Sequence, residues 1–154
     1  MNRREQIQMT TDEIRAFLAE RRIASIATNG RDGYPHLIAM WFVPRDQAIA
    51  FWTYAKSQKA VNLRRDPRLT CLVEAGEEYG ELRGVQIKGH AVIADDPTEV
   101  QRLGEELWKR YSGGGELTDA MRMMIAAQAR KRIAVVVEPI EVTSWDHRKL
   151  GGVY

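Results

Sequence analysis

Residues 51–67 have the sequence FWTYAKSQKAVNLRRDP, in which an apolar stretch of β type leads directly into the start of a helix. The stretch ends at Thr53, and the short basic turn after it contains Lys56, Ser57 and Lys59. Backbone N–H groups at a helix start have no partner within the helix, and the helix dipole is positive there. With a serine hydroxyl and lysine ammonium groups beside them, they favour a bound phosphate. The segment therefore predicts a site for a phosphorylated cofactor.

The bulk properties of the chain exclude several classes of protein. Its 154 residues predict one domain over 1–154, and a single cysteine, Cys71, excludes an internal disulfide framework. No stretch approaches the roughly 18–20 consecutive apolar residues of a membrane span, and the charged N-terminus lacks the apolar core of a signal peptide. We therefore expect a soluble, cytoplasmic protein without a membrane partner. The net charge of only +2, with no aromatic platform among the basic residues, does not favour a nucleic-acid partner.

Patterns of apolar residues, turns and helix caps predict the order of the elements. Helices are predicted at residues 11–21, 58–64, 97–111 and 117–130, and strands at 23–28, 34–43, 48–53, 68–74, 83–94 and 132–144. The last strand is expected to be interrupted at Pro139, with a polar tail starting at Trp145. This order predicts an α+β fold with an antiparallel β-barrel core and flanking helices.

The second predicted strand is unusual because residues 37–43, LIAMWFV, are apolar on both faces. In an antiparallel sheet this pattern implies that both faces are covered. One face would fill the barrel, and the other would need a helix, a partner subunit or a flat ligand. We predict a homodimer that buries this strand and its neighbours.

Catalytic motifs with their own acid–base groups are missing from the sequence. It contains no G-x-S-x-G, H-E-x-x-H or G-x-G-x-x-G segment, and no paired carboxylates stand out. Its histidines, His36, His90 and His147, are scattered and lack the spacing of metal ligands. We expect neither a catalytic side chain nor a metal site. Redox chemistry remains open to such a protein if a cofactor supplies it.

Four segments, in this order, resemble the split β-barrel family of flavin and deazaflavin oxidoreductases, which includes the pyridoxamine 5'-phosphate oxidase-like flavoproteins. They are GYPHL at 33–37, FWT at 51–53, KSQKAVNLRRDPR at 56–68 and VQIKGHA at 85–91. The similarity extends from about residue 10 to residue 149, and WDHRKL at 145–150 resembles the family's closing Trp-and-Arg segment. The resemblance implies a Greek-key split barrel of the FMN-binding type. It also implies FMN or coenzyme F420 at the interface of a homodimer.

The resemblance also implies roles for individual residues. The isoalloxazine-type ring would lie along His36, Leu37, Ile38, Ala39 and Met40. Trp52 and Thr53 would line the ring and the ribityl chain, although Trp52 also fits a plain core aromatic. Ser57 and Lys59 would hold the phosphate, with Lys56 nearby. Further contacts would come from Gln86 and Lys88 and, from the partner subunit, Trp145 and Arg148.

Departures from the oxidase pattern indicate the branch of the family. The phosphate-substrate oxidases have Arg and Lys where this chain has His36 and Trp41, and an adjacent Arg-Lys pair where it has Gln58-Lys59. The segments YPH at 34–36 and MWF at 40–42 resemble the deazaflavin-dependent branch, whose anionic polyglutamate tail would meet Lys56, Arg64 or Arg65. We therefore predict an F420-dependent oxidoreductase that transfers a hydride to a small unsaturated organic substrate. The alternatives are an FMN flavoprotein and a non-catalytic flavin- or haem-binding module.

Overall fold

The structure is a computed structural model that describes residues 2–152. Within this range the strands are β1 (Ala24–Asn29), β2 (Pro35–Met40), β3 (Val43–Arg45), β4 (Ala48–Tyr54), β5 (Arg68–Ala75), β6 (Arg83–Ala94) and β7 (Arg132–Asp146). The helices are α1 (Arg3–Gln6), α2 (Thr11–Glu20), α3 (Gln58–Arg65), α4 (Pro97–Tyr111) and α5 (Asp119–Ala129), with 3-10 turns at Tyr79–Glu81 and His147–Leu150. None of the helices in the described range has the length and apolar character needed to cross a bilayer.

The strands form one antiparallel sheet in the order β2-β1-β5-β6-β7-β4-β3. β2 and β3 lie at opposite edges of this order, yet only Trp41 and Phe42 connect them. Since two residues span only a few ångströms, the sheet must curl until its edges approach each other. The result is a half-closed barrel with flanking helices, which confirms the predicted α+β split-barrel fold.

Two apolar clusters pack against the two faces of the curled sheet. Inside the barrel lie side chains such as Ile26, Phe51 and Ile87, and α2 closes on them with Phe17 and Leu18. Outside it, α4 and α5 cover part of the sheet with the buried side chains Val100, Leu103, Leu107 and Ala129. Within residues 2–152 no helix buries the outer face of β2, β1 and β5 in this way, since the side chains on it are half-buried or exposed.

The prediction of one continuous strand over residues 34–43 is wrong, because the structure has two strands, β2 and β3, in this region. The chain leaves the sheet at Trp41, whose ring stacks on Tyr111 with 4.2 Å between centroids, while Phe42 turns into the core and is fully buried. β3 then pairs with β4 at the other edge and includes Pro44 and Arg45, which lie outside the predicted strands. The reason is closure of the barrel, because one strand cannot serve both edges without bending.

The last strand also differs from its prediction. β7 runs without a break from Arg132 to Asp146, so the expected interruption at Pro139 is wrong. A register shift opposite Lys88 and Gly89 inserts Ile140 as an extra residue, and this bulge accommodates the proline, which has no N–H to donate. Trp145 belongs to β7, where it pairs with Gly84, and not to a polar tail.

The hydroxyl of Tyr111 joins the end of α4 to the bend between β2 and β3. It accepts a hydrogen bond from the Phe42 N–H at 3.0 Å and lies 2.6 Å from the Arg22 carbonyl oxygen. Tyr111→Phe should lower the free energy of unfolding by about 1–3 kcal/mol, because it leaves the Phe42 N–H without this partner. Urea unfolding will measure the effect. Tyr34→Phe, at a tyrosine that is 76% exposed, is the control and should change stability by less than about 0.5 kcal/mol; equal losses in both variants would contradict the assignment.

Candidate functional site

Three of the predicted site residues meet where β4 leads into α3. Ser57 is the N-cap of α3, and its Oγ accepts a hydrogen bond from the Ala60 N–H at 3.3 Å. Thr53 Oγ1 lies 3.2 Å from Ser57 Oγ and accepts a hydrogen bond from Lys59 Nζ at 3.1 Å. We call Thr53, Ser57 and Lys59 the α3 cluster. The strand end, the turn and the first helical turn together position it.

The ammonium group of Lys59 is buried without an opposite charge. Lys59 is 6% exposed, and its only hydrogen-bond partner in the described part of the chain is Thr53. Burial lowers the pKa of Lys59, since desolvation disfavours the charged form. No acidic residue lies in the first turn of α3. A buried cation of this kind is costly unless an anion joins it, so the residues present fit a phosphate.

A buried polar contact fixes α3 on the barrel. Asn62 is fully buried, and its side-chain N–H donates to Thr28 Oγ1 of β1 at 3.0 Å, while Gln58 donates to Asn62 Oδ1 at 2.8 Å. The Arg65 guanidinium adds a hydrogen bond to the Asn29 carbonyl. Sequence reasoning did not identify Asn62 and Thr28 as supports of the site. Asn62 lies within residues 51–67, which the sequence analysis singled out, but no sequence pattern indicated Thr28 as its partner.

The β2 side chains divide between the two faces of the sheet. His36, Ile38 and Met40 lie directly opposite Thr28, Ile26 and Ala24 of β1, on the face that continues into the barrel interior. The Nδ1 atom of His36 is buried and has no hydrogen-bond partner. The His36 side chain, together with Gln58, Val61 and Asn62, lines an open groove of about 760 Å³ between the β1–β2 hairpin and α3. The His36 side chain in this groove therefore lies beside α3, whose first turn contributes Lys59 to the α3 cluster.

The remaining β2 residues lie on the outer face with other predicted contacts. Ala39, Ser25, Leu72, Gln86 and Thr143 follow one another across β2, β1, β5, β6 and β7 in a single row. Leu37, which is 67% exposed, begins the next row, and Trp145 lies on the same face beyond Gln86. The structure therefore places Gln86 and Trp145 on the same face of the sheet as Leu37 and Ala39, three and four strands away from them, and separates all four from the α3 cluster.

Trp52 is not brought to the α3 cluster. It points away from Thr53, to the other face of β4, where its ring packs on Gly104 of α4. The Arg132 guanidinium lies over the ring, 4.7 Å from its centroid. This packing agrees with the core-aromatic interpretation of Trp52.

The remaining basic residues of the predicted site differ in whether their side chains already have a partner. Lys56 is exposed in the turn before α3. The Arg64 guanidinium donates to the Ala55 carbonyl at 2.6 Å, so it is held beside that turn. Arg148 donates to both carboxylate oxygens of Asp146, at 2.9 and 2.6 Å, and this pairing holds the pKa of the Asp146 carboxyl below its usual value. Arg148 would have to share or leave this pair to contact a cofactor.

The model of the pyridoxamine 5'-phosphate oxidase family matches residues 10–146. The chain belongs to this family. A conserved hypothetical protein from Mycobacterium tuberculosis is 44% identical in sequence over 100% of this chain and 95% of its own, with a TM-score of 0.90. An F420 reductase is 26% identical over 83% of this chain and 94% of its own, with a TM-score of 0.66. The heme storage protein HutZ from Vibrio cholerae, 16% identical over 86% of this chain and 93% of its own, has a TM-score of 0.66 and shares the fold alone.

This membership confirms the family that the four sequence segments resembled. The pyridoxamine 5'-phosphate oxidase family includes oxidoreductases, and its split-barrel fold binds flavin-type cofactors. The buried Lys59 ammonium, whose single hydrogen bond among the described residues goes to Thr53 Oγ1, fits the phosphate of a cofactor of this type.

Proposed function

We propose that this protein is an F420-dependent oxidoreductase that transfers a hydride between the deazaflavin and a small unsaturated organic substrate. The observation that supports it best is the buried Lys59 ammonium, which has a hydroxyl and a helix start beside it and no carboxylate. This arrangement fits the phosphate of a cofactor. The similarity to an F420 reductase, 26% identical over 83% of the chain, favours F420.

The residues of the chain would act by binding and orientation. Ser57, Lys59 and the N–H groups at the start of α3 would hold the phosphate, and Thr53 would keep the Lys59 ammonium aimed at it. His36 and the β2 backbone would meet the polar edge of the ring. When bound, the deazaflavin supplies the hydride-transfer chemistry. The barrel and α3 would keep water from one side of the site and hold the substrate close to the reacting ring.

We further propose that the protein is a homodimer with the cofactor at the subunit interface. The outer face of β2, β1 and β5 carries Leu37, Ala39 and Leu72, which no helix within residues 2–152 buries. Exposed apolar patches of this kind are typical of interfaces. A second copy packed on this face would cover these side chains.

FMN is the second candidate, because it would offer the same phosphate to Lys59 and Ser57. Titration of the purified protein with F420 and with FMN, followed by fluorescence, separates the two. We expect saturable binding of F420 and much weaker binding of FMN, and oxidation of reduced F420 when a conjugated acceptor is added. Tight FMN binding without affinity for F420 would overturn the choice of F420. Failure to bind either cofactor would overturn the proposed function as a whole.

A further inference from the structure

We infer that a groove between α1 and the end of β7 binds a planar organic anion, and that Arg4 selects it. The groove has a volume of about 460 Å³. Its lining includes Arg4, Gln86, Lys88, Glu141, Thr143 and Trp145. The inference rests on the proposed function in one respect, namely that this anion is the substrate. It deepens that function by naming the substrate class as conjugated organic acids.

The position of α1 on this groove is set by the residues that follow it. The helix has four residues, none of them buried, and a helix this short is not stable alone. The Ile7 carbonyl accepts a hydrogen bond from the Asp146 N–H at 2.7 Å, and the Met9 N–H donates to the buried Ser144 Oγ at 3.0 Å. The Lys149 ammonium donates to the Gln8 carbonyl at 2.8 Å. These contacts hold α1, and Arg4 with it, at the rim of the groove.

Of the lysine and arginine residues that line the groove, Arg4 is the one without an acidic partner among residues 2–152. Lys88 lies 3.1 Å from Glu141 across the floor of the groove. Outside the groove, Lys149 is paired with Glu13 and Arg148 with Asp146. Within residues 2–152, Arg4 takes part in no ion pair and its guanidinium makes no hydrogen bond. Because Lys88 and Glu141 cancel, the groove has a net positive charge, which comes from Arg4.

The other groups of the groove fit a flat molecule with a carboxylate. A guanidinium presents parallel N–H donors that match a carboxylate in a bidentate pair. The side-chain amide of Gln86, half-buried on the floor, has no hydrogen-bond partner among the described residues. The half-buried ring of Trp145 provides an aromatic wall, held against Gly84, where even a Cβ atom would lie 2.1 Å from the ring. A conjugated acid could therefore pair its carboxylate with Arg4 and lay its apolar part on Trp145.

Cinnamate and its neutral isostere cinnamamide test this inference by isothermal titration of the full-length protein without F420. The wild-type protein should bind cinnamate about three- to fivefold more tightly than cinnamamide, the upper range for one ion pair at an exposed site. Arg4→Gln should remove this preference, and Arg4→Lys should restore part of it. Arg3→Gln is the matched control, since Arg3 lies in the same helix but does not line the groove; it should keep the preference.

Several results would overturn the inference. These are equal affinity for the two ligands, no binding of either, or the same loss in Arg3→Gln as in Arg4→Gln. The NMR signals of the Gln86 side-chain amide should shift on addition of cinnamate, and shifts confined to other parts of the protein would also contradict it. Because F420 is absent from these titrations, their failure is distinct from a failure of F420 to bind.

Discussion

Lys59→Met is expected to weaken the binding of F420 by about 100-fold and, in the ligand-free protein, to leave the free energy of unfolding unchanged or to raise it by about 1 kcal/mol. The loss of affinity follows from the removal of a charge-assisted hydrogen bond to the phosphate inside a buried site. The same substitution takes an unpaired ammonium out of the core of the unliganded protein. The opposite signs of the two effects distinguish a binding residue from a structural one.

The geometry around Lys59 supports this expectation. Among the described residues the ammonium makes one hydrogen bond, to Thr53 Oγ1, and has no carboxylate partner. When it is removed, Thr53 Oγ1 still lies 3.2 Å from Ser57 Oγ, so the hydroxyl is not left without a partner. Methionine is unbranched, similar in length and adaptable in its packing, so it should fill the space of the lysine stem.

Fluorescence titration with F420 and urea unfolding of the ligand-free protein measure the two effects. Lys109→Met is the control, because Lys109 is an exposed lysine of α4, outside the proposed cofactor site. We expect the control to change affinity less than about threefold, as exposed charges contribute little. If Lys59→Met destabilised the ligand-free protein by more than about 2 kcal/mol and left F420 affinity intact, Lys59 would be a structural residue and the phosphate site would lie elsewhere.

The lowered pKa of Lys59 makes the free energy of unfolding depend on pH, and the direction of this dependence can be worked out. Burial lowers this pKa from its usual value of 10.5, so between the two values the unfolded chain binds more protons than the folded one. The free energy of unfolding of the ligand-free protein should therefore rise as the pH increases through this window. A bound phosphate would pair with the ammonium and raise the pKa again, which removes the rise. Unfolding measured with and without F420, and in Lys59→Met, checks this.

Sequence reasoning located the α3 cluster because its members lie within seven residues. Thr53 at a strand end, Ser57 as helix cap and Lys59 in the first turn are brought together by local geometry alone, which spacing encodes. No local spacing indicated that His36 would lie beside α3, because that helix begins more than 20 residues later in the chain. Its role as a cofactor contact stays a prediction.

The features that sequence reasoning missed depend on contacts distant along the chain. The bend at Trp41 and Phe42 follows from closure of the sheet, and an apolar run gives no sign of where a strand will change its partner. Trp145 enters β7 because Gly84 on β6 leaves room for its ring. Trp52 stands in a strand that is apolar on both faces, so alternation could not say which face it uses.

Gly104→Ala is the second substitution with a large expected effect, and it tests the position of Trp52. Alanine is preferred to glycine inside a helix by about 0.5–1 kcal/mol, so helix propensity alone predicts a gain in stability. However, a Cβ atom at Gly104 would lie 2.4 Å from Trp52 Cζ3 and 2.8 Å from Cη2. The Trp52 ring is rigid, so its outer edge cannot move away from the added Cβ atom without a shift of the whole side chain. We therefore expect a net loss of about 1–3 kcal/mol in the free energy of unfolding.

The double variant with Trp52→Leu separates this clash from other effects of the substitution. Without the ring, Gly104→Ala should cost less than in the wild-type background, and the contact that remains is the one at 2.9 Å from Ile125 Cγ2. Gly115→Ala, where no atom lies within 4 Å of the added Cβ, serves as the control and should stay within about 0.5 kcal/mol of wild type. Because Trp52 packs on α4, both Gly104→Ala and Trp52→Leu should bind F420 with unchanged affinity while they remain folded. A loss of F420 affinity in Trp52→Leu without a loss of stability would instead assign the ring to the cofactor site.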